Sequence, residues 1–233
     1  ERLGGGIGTR GPGETQIETD RRLVRGRIQR IKKSLQSVRR HRGQYRARRR
    51  ERGFPVASLV GYTNAGKSTL LNGLTGATVP VEDKLFSTLD PVTRRIRLSS
   101  GRELLLTDTV GFIQKLPPAV VAAFRATLEE IDETALIVHV VNVAHPNAGA
   151  QAEVVEDILE EMNLARKPRV LVLNKVDLLN GGGSDAIDQA ANRPRTVMTS
   201  ALRGTGIEDL LKELDDLLSK IAPSELPAGV AAG

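Results

Sequence analysis

Cysteine is absent from the 233-residue chain, and aromatic residues make up only 3% of it. Without cysteine there can be no disulfide framework, no thiol catalysis and no cysteine-ligated zinc. Since hydrophobic residues still make up 39%, the core must consist mostly of aliphatic side chains. The longest apolar-rich run, residues 135–144, is far shorter than a membrane span, and no secretory signal is visible. The lack of cysteine fits a reducing compartment.

Positive charge is concentrated in the first part of the chain. Residues 1–52 contain 17 Lys+Arg and 5 Asp+Glu, whereas residues 53–233 contain 17 Lys+Arg and 23 Asp+Glu. This asymmetry predicts a polyanionic partner for the basic segment. Residues 20–52 include only one aromatic residue, Tyr45, so phosphate contacts with structured RNA are favoured over base stacking. The alternative is the solvated surface of a coiled coil.

The basic segment, residues 1–53, is predicted to be a glycine-rich loop followed by a long helical arm. The helix is expected from Glu18 to about Arg50, where proline is absent. Apolar residues recur there at a heptad-like spacing, at Val24, Ile28, Ile31, Leu35 and Val38. Such a stripe needs a partner surface, which we expect in a missing N-terminal region or in another molecule. Packing against the rest of the chain is the alternative.

Residues 54–222 alternate short apolar runs with amphipathic segments, and residues 223–233 are predicted to be a flexible tail. Strands are predicted at 56–60, 94–98, 103–107, 135–143, 169–173 and 195–199. Helices are predicted after residue 69 and at 118–133, 151–163 and 206–221. The second and third strands flank Ser-Ser-Gly and predict a hairpin. This alternation predicts an α/β fold with a mostly parallel central sheet.

A glycine-rich loop, GYTNAGKST, directly follows the first predicted strand and precedes a helix. It fits the pattern G-x-x-x-x-G-K-[ST], in which backbone N–H groups surround phosphate oxygens. Lys67 can reach the β- and γ-phosphates, and the Ser68 hydroxyl can ligate Mg²⁺. A merely flexible turn is the alternative. The predicted nucleotide contacts here are Gly61, Tyr62, Thr63, Asn64, Ala65, Gly66, Lys67, Ser68 and Thr69.

Two further motifs, NKVD (174–177) and SAL (200–202), follow later predicted strands and suit recognition of a guanine. A carboxylate at Asp177 can accept hydrogen bonds from the N1–H and the N2 amine together, a donor pair that adenine lacks. This disfavours an ATP-dependent kinase, although Asn and Asp at strand ends often only cap turns. The predicted base contacts are Asn174, Lys175, Asp177, Ser200, Ala201 and Leu202.

The segments DTVGF (108–112) and FSTLDPVTR (86–94) are predicted to sense the γ-phosphate. Asp108 is expected to hold Mg²⁺ through water, and the Gly111 amide to bind the γ-phosphate. Thr88 is the predicted switch threonine that covers Mg²⁺, with Thr93 as its main competitor. Both segments would be ordered by the γ-phosphate and relax after hydrolysis.

These motifs, in this order, resemble the translation-factor-related P-loop GTPases from Phe54 to about Ile221. The stretch GTRGPGETQIETDRRLVRGRI (8–28), together with GYTNAGKSTL, FSTLDPVTRR and DTVGFIQKLP, narrows the resemblance to the HflX family of ribosome-associated GTPases. One departure is Asn142, where many relatives are expected to have Asp. The family normally carries a further N-terminal domain, so residues 1–53 are expected to be the C-terminal part of that region.

Phe112 stands where Ras-like GTPases have the glutamine that orients the attacking water. Hydrolysis is therefore expected to depend on a partner or on a bound monovalent cation. Asn64 corresponds to the P-loop asparagine that potassium-activated relatives use as a K⁺ ligand; a turn residue that tolerates unusual backbone angles is the alternative. The candidate catalytic residues are Lys67, Thr88, Gly111 and Asn64.

The resemblance implies a GTP-hydrolysing factor that binds the large ribosomal subunit and ribosomal RNA and splits stalled or idle ribosomes. Mg²⁺ is the expected cofactor, with K⁺ as a further one, and GTP and GDP are the expected ligands of a monomer. Location in a bacterial cytoplasm, or in an organellar stroma or matrix after loss of a transit peptide, is expected. The alternatives are a ribosome-assembly GTPase and a membrane-peripheral GTP switch, although the arm lacks a large hydrophobic membrane face.

Overall fold

The computed structural model describes residues 53–76, 92–109, 111–112, 131, 134–179 and 194–221. In these ranges the strands are β1 (Val56–Val60), β2 (Val92–Arg97), β3 (Glu103–Asp108), β4 (Leu136–Asn142), β5 (Arg169–Asn174) and β6 (Thr196–Thr199). The helices are α1 (Lys67–Thr75), α2 (Ala148–Glu161) and α3 (Ile207–Lys220), with a 3₁₀ turn at Val176–Leu178. The basic arm, the helix expected at 118–133 apart from Ile131, and the C-terminal tail lie outside the described residues.

Each predicted strand is present within about two residues of its expected bounds. Helix α2 begins at Ala148, three residues before the predicted start at Gln151. The predicted start was three residues too late, after Gly149, a residue type that disfavours helix interiors. Pro146 and Asn147 mark the true helix start, and the alanines on either side of Gly149 favour continuation.

The strands form one mostly parallel sheet in the order β2-β3-β1-β4-β5-β6, which confirms the predicted α/β fold. Only β2 runs antiparallel to its neighbour, and Val92 of β2 lies opposite Asp108 of β3. The other pairs are parallel, so the carboxyl ends of β1, β3, β4 and β5 meet at one edge of the sheet. Open α/β sheets bind their ligands outside this edge.

Aliphatic side chains fill the core on both faces of the sheet, as the composition predicted. One cluster joins α1 and α3 to the strands through residues such as Leu70, Leu106 and Leu214, each with no exposed surface. The cluster on the other face packs α2 against the sheet through Val155 and Leu159. Each fully buried side chain of this kind contributes about 1.5–3 kcal/mol. Within the described ranges, no helix has the length and hydrophobicity needed to cross a membrane.

His139 lies inside this fold on β4, where it has a structural contact with α2. Its side chain is buried, and its Nδ1 lies 3.1 Å from Oε1 of Glu156 on α2. This hydrogen bond is the main reason why the pKa of Glu156 falls to about 2, and Arg169 also lowers that pKa while burial opposes the change. In the part of the chain that the structure describes, no group of three His, Asp or Glu side chains is arranged to hold a metal.

Candidate functional site

The glycine-rich loop connects β1 to α1 at the carboxyl edge of the sheet, where the motif placed it. Gly66 precedes the helix with φ of 92°, a left-handed conformation that favours glycine. A Cβ at this position would lie 2.4 Å from Nδ2 of Asn174, so a side chain would also collide with the NKVD segment. The loop therefore brings its backbone close to the base-binding motif and ends at the N-terminus of α1, where anions are favoured.

Lys67 is the first residue of α1 and is only 6% exposed. Its Nζ donates to the carbonyl oxygens of Gly61 and Tyr62, each at 3.1 Å. Burial lowers the pKa of Lys67 to about 8, and the nearby charge of Asp108 only partly opposes this change. The loop thus holds a poorly solvated cation whose charge is incompletely compensated, and a bound phosphate would complete that compensation.

Ser68 and Asp108 meet beside Lys67. The Ser68 hydroxyl donates to Oδ2 of Asp108 at 2.6 Å, and both residues are buried. Asp108 ends β3, so the sheet register brings a residue forty positions away to the loop. Hydroxyl and carboxylate oxygens are the hard ligands that Mg²⁺ prefers, and the residues therefore fit the nucleotide-bound Mg²⁺ that the P-loop fold implies.

Gly111 lies against the glycine-rich loop. A Cβ on it would lie 2.7 Å from Cα of Thr63 and 3.1 Å from Nζ of Lys67, so only glycine fits this approach. The next residue extends the parallel ladder, because the Phe112 N–H donates to the Gly61 carbonyl at 3.0 Å and the Thr63 N–H donates to the Phe112 carbonyl at 2.8 Å. Backbone hydrogen bonds thus join the start of the segment that is predicted to sense the γ-phosphate to the glycine-rich loop.

The Phe112 side chain points away from this site into the core. It has no exposed surface and packs in the cluster that includes Val60, Ile137, Val155 and Leu159. A side chain at position 112 in this conformation lies inside the protein and cannot orient a water at the phosphates. The position therefore anchors Gly111 through hydrophobic packing.

Replacement of Phe112 by Gln is expected to destabilise the protein and not to accelerate hydrolysis. Loss of the buried ring and burial of an amide without partners should lower the free energy of unfolding by about 3–5 kcal/mol. Phe112→Leu, which keeps an apolar group there, should lose about 1–2 kcal/mol. Urea unfolding and GTP turnover without partners measure the two effects. Faster turnover in a folded Phe112→Gln variant would contradict this interpretation.

Asn174 connects three segments of the candidate site. It is only 1% exposed, and its Nδ2 donates to the Ala65 carbonyl at 2.9 Å. Its Oδ1 accepts hydrogen bonds from the Thr199 hydroxyl at 3.1 Å and from the Ala201 N–H at 3.0 Å. The side chain therefore holds the phosphate loop, the NKVD segment and the SAL segment together. Thr199 was not among the predicted site residues, and its only signal in the sequence is that it ends a strand directly before SAL.

Asp177 faces the SAL segment from the 3₁₀ turn. The Ser200 hydroxyl donates to Oδ1 of Asp177 at 2.6 Å, and Nε of Arg203 lies 3.8 Å from Oδ2. Ser200 was predicted to contact the base through its backbone, and the structure adds this side-chain support for the carboxylate. Leu202, the last residue of SAL, is 79% exposed.

Asn64 lies at the exposed turn of the phosphate loop, with φ of 58°. This is the unusual backbone angle that the alternative interpretation of Asn64 anticipated. Its Oδ1 accepts a hydrogen bond from Nζ of Lys175 at 3.1 Å. No sequence pattern predicted this contact between the two motifs, because it depends on how the loops converge across the sheet.

The predicted switch threonine, Thr88, lies outside the described residues, as does the rest of that segment before Val92. Its competitor Thr93 is part of β2, where its hydroxyl lies 2.9 Å from the hydroxyl of Thr107 on β3. Thr69 occupies the first turn of α1. All the other predicted site residues converge at the carboxyl edge of the sheet.

The basic segment and the α/β segment each match a known protein family. The family model described as "50S ribosome-binding GTPase" matches residues 56–175, and the one described as "GTP-binding GTPase Middle Region" matches residues 1–49. GTPase HflX of Caldanaerobacter subterraneus subsp. tengcongensis is 49% identical over 219 residues, which cover 94% of this chain and 50% of the relative. GTPase HflX of Escherichia coli is 47% identical over 219 residues, with coverage of 94% and 51%. The chain spans about half the length of these curated relatives.

Solved structures support the same fold. A GTP-binding protein from the hyperthermophilic archaeon Sulfolobus solfataricus, in complex with GDP, has a TM-score of 0.64 at 26% identity, and the match covers 89% of this chain and 62% of that one. An NFeoB variant from S. thermophilus has a TM-score of 0.57 at 22% identity. The match covers 72% of this chain and 65% of the NFeoB chain, and it shows the fold alone.

The sheet order, the phosphate loop and the NKVD and SAL segments define a P-loop GTPase. The family model and the relatives then give its family, as the sequence motifs predicted. The chain belongs to the HflX family of GTPases.

Proposed function

We propose that this protein binds GTP, hydrolyses it slowly alone and faster on the large ribosomal subunit, and thereby acts in splitting stalled or idle ribosomes. The observation that carries the partner dependence is the buried Phe112 side chain, which leaves position 112 without a group that can orient water. The family description "50S ribosome-binding GTPase" supports the large subunit as the partner. The basic segment, with 15 Lys+Arg in residues 20–52, supports contacts with ribosomal RNA.

The described residues suggest how the nucleotide is held. Lys67 exchanges its carbonyl acceptors, Gly61 and Tyr62, for phosphate oxygens. The negative charge of the phosphate then offsets the energetic cost of burying the ammonium group. The Gly111 amide donates to the γ-phosphate and loses this contact after hydrolysis. The backbone hydrogen bonds of Phe112 to Gly61 and Thr63 hold it in position. Asp177 accepts hydrogen bonds from the guanine edge while Ser200 fixes its orientation.

Mg²⁺ would be held by Ser68 and Asp108 together with phosphate oxygens, and Thr88 is the proposed covering ligand from the switch segment. The ion supplies charge neutralisation for the phosphates. The Ser68 hydroxyl, now bonded to Asp108, is in place to become a metal ligand without leaving the loop. Asp108 would then hold the ion through water.

Potassium stimulation is a further part of the proposal and depends on Asn64. The Asn64 oxygen now accepts from the Lys175 ammonium, so a bound K⁺ would have to share or displace that contact. GTP turnover is measured in potassium and in sodium under otherwise identical conditions. Equal rates in the two salts would show that Asn64 is not a cation ligand. This result would leave the rest of the proposed function intact.

GTP turnover with and without purified large ribosomal subunits tests the proposed function directly. A supplied arginine or comparable group accelerates hydrolysis by about 10³–10⁵-fold in related enzymes, so stimulation of at least about 100-fold is expected. Fast turnover without any partner would contradict the proposal. Sedimentation then separates two roles: a splitting factor converts whole ribosomes into subunits, whereas an assembly factor collects on precursor particles.

A further inference from the structure

Strand β2 exposes three arginines at one end of the described sheet. Arg94, Arg95 and Arg97 are exposed along this strand, whereas Ile96 between them is only 3% exposed and packs into the core. We name these three arginines the β2 arginine edge. Because Ile96 is anchored and β2 is paired with β3 along its whole length, the guanidinium groups extend from a fixed backbone.

The β2 arginine edge is positive on a body that is otherwise acidic. Residues 92–103 carry four arginines and one glutamate, while residues 53–233 as a whole have 17 Lys+Arg against 23 Asp+Glu. Compensation is incomplete: Nη1 of Arg95 lies 3.2 Å from Oε2 of Glu103, but Arg94 and Arg97 form no ion pair with any described residue. Clustered arginines on a body of net negative charge indicate a partner with negative charge.

The turn of the same hairpin is fixed to α3. Asp215 accepts hydrogen bonds from the Ser100 N–H at 2.6 Å, from the Ser100 hydroxyl at 2.8 Å and from Nε of Arg102 at 3.0 Å. Burial by itself would raise the pKa of Asp215, but these hydrogen bonds outweigh it and lower the pKa. Arg102 is therefore used to hold the hairpin, and the β2 arginine edge is presented on a rigid element, which reduces the entropy lost on binding.

We propose that the β2 arginine edge binds the phosphate backbone of ribosomal RNA, as a contact additional to the basic arm. Guanidinium groups bind phosphates with paired hydrogen bonds, which favours RNA as the partner. A protein partner would need an apolar centre, because the cores of protein interfaces are depleted in charge. The large exposed hydrophobic residues of the described chain lie elsewhere, at Leu178, Met198 and Leu202.

Strand β2 begins at the candidate nucleotide site and runs away from it, so that Arg97 lies opposite Glu103 at the amino end of β3. Val92 at the start of β2 is opposite Asp108, and the Thr93 hydroxyl lies 2.9 Å from that of Thr107. The first three residues of this strand, up to Arg94, form the end of the predicted switch segment (86–94). The proposal rests on the proposed ribosomal function for its physiological partner.

Binding of the full chain to Mg²⁺-folded, protein-free RNA of the large subunit tests the proposal. Arg95→Gln/Arg97→Gln should bind about tenfold more weakly, and its log–log salt slope should fall by about 2. The charge-matched control Lys212→Gln/Lys220→Gln, on the exposed face of α3, should change binding by less than about threefold. Glu103→Gln, which removes the compensating acid, should strengthen binding by about twofold. Thermal melting checks that each variant is folded.

The same variants are then tested on intact large subunits, so that the two proposals can fail separately. If Arg95→Gln/Arg97→Gln binds protein-free RNA as tightly as the unchanged chain, the RNA contact is refuted. This holds even if the variant loses subunit binding, which would indicate a ribosomal protein as the partner. If the unchanged chain does not bind intact subunits, the proposed ribosomal function is refuted. Weaker binding of the variant to protein-free RNA would still support the arginine contact.

Discussion

Replacement of Lys67 by Met is expected to weaken GDP binding by about 100-fold or more. A charge-assisted hydrogen bond to phosphate contributes about 1.5–3 kcal/mol, and Lys67 is proposed to make more than one. The same change should stabilise the nucleotide-free protein at pH 7 by about 1–2 kcal/mol, because the buried ammonium is removed while the aliphatic stem stays. Calorimetry measures the first effect and urea unfolding the second.

The stabilisation should depend on pH in a defined direction. The pKa of Lys67 is lowered from 10.5 to about 8 in the folded protein, mainly by burial. Below pH 8 both the folded and the unfolded chain carry the ammonium, so its burial destabilises the fold fully. Between about pH 8 and 10.5 the unfolded chain binds more protons, so the free energy of unfolding rises with pH.

The advantage of the Lys67→Met variant should therefore be largest at pH 7 and should shrink towards pH 10. Lys67→Arg is the matched control, because its guanidinium does not titrate in this range and its difference from Lys67→Met should stay constant. A Lys67→Met variant that is less stable than the unchanged chain at pH 7 would show that the hydrogen bonds to Gly61 and Tyr62 outweigh burial of the charge.

Replacement of Asp177 by Asn is expected to change the base preference from guanine towards xanthine. The Asp177 carboxylate is the predicted acceptor for both N–H groups of the guanine edge, and the Ser200 hydroxyl donates to one of its oxygens. An amide presents a donor at that edge, which repels the guanine N–H groups and suits the second carbonyl of xanthine. GDP affinity should fall by about 10³-fold or more, while XDP affinity should rise.

Competition of GDP and XDP for the protein measures this preference. Ser200→Ala is the first control: it loosens the carboxylate, so GDP affinity should fall by about tenfold without a gain for XDP. Arg203→Gln is the second, because its guanidinium is 69% exposed and lies 3.8 Å from Asp177, so a change below about threefold is expected. An Asp177→Asn variant that still prefers GDP would show that the base lies elsewhere.

The amino-acid sequence by itself determined the class of fold and the described strands and helices, and it predicted which residues form the candidate site. Alternating apolar runs and amphipathic segments predicted the strands, the hairpin and α3, because these periodicities are local properties of the chain. The phosphate loop was predictable for the same reason: its glycines, Lys67 and Ser68 are contiguous. The one clear error, the start of α2, arose where Gly149 weakened the local signal.

Only the tertiary structure decided what the side chains do once distant segments meet. The sequence placed Phe112 beside the γ-phosphate sensor, but the packing of α2 turned its ring into the core. It also offered Asn174 as a base contact, but convergence of the loops engaged its amide with Ala65, Thr199 and Ala201. The low pKa of Lys67 likewise depends on burial. Such outcomes depend on the order of strands in the sheet, and no local pattern encodes that order.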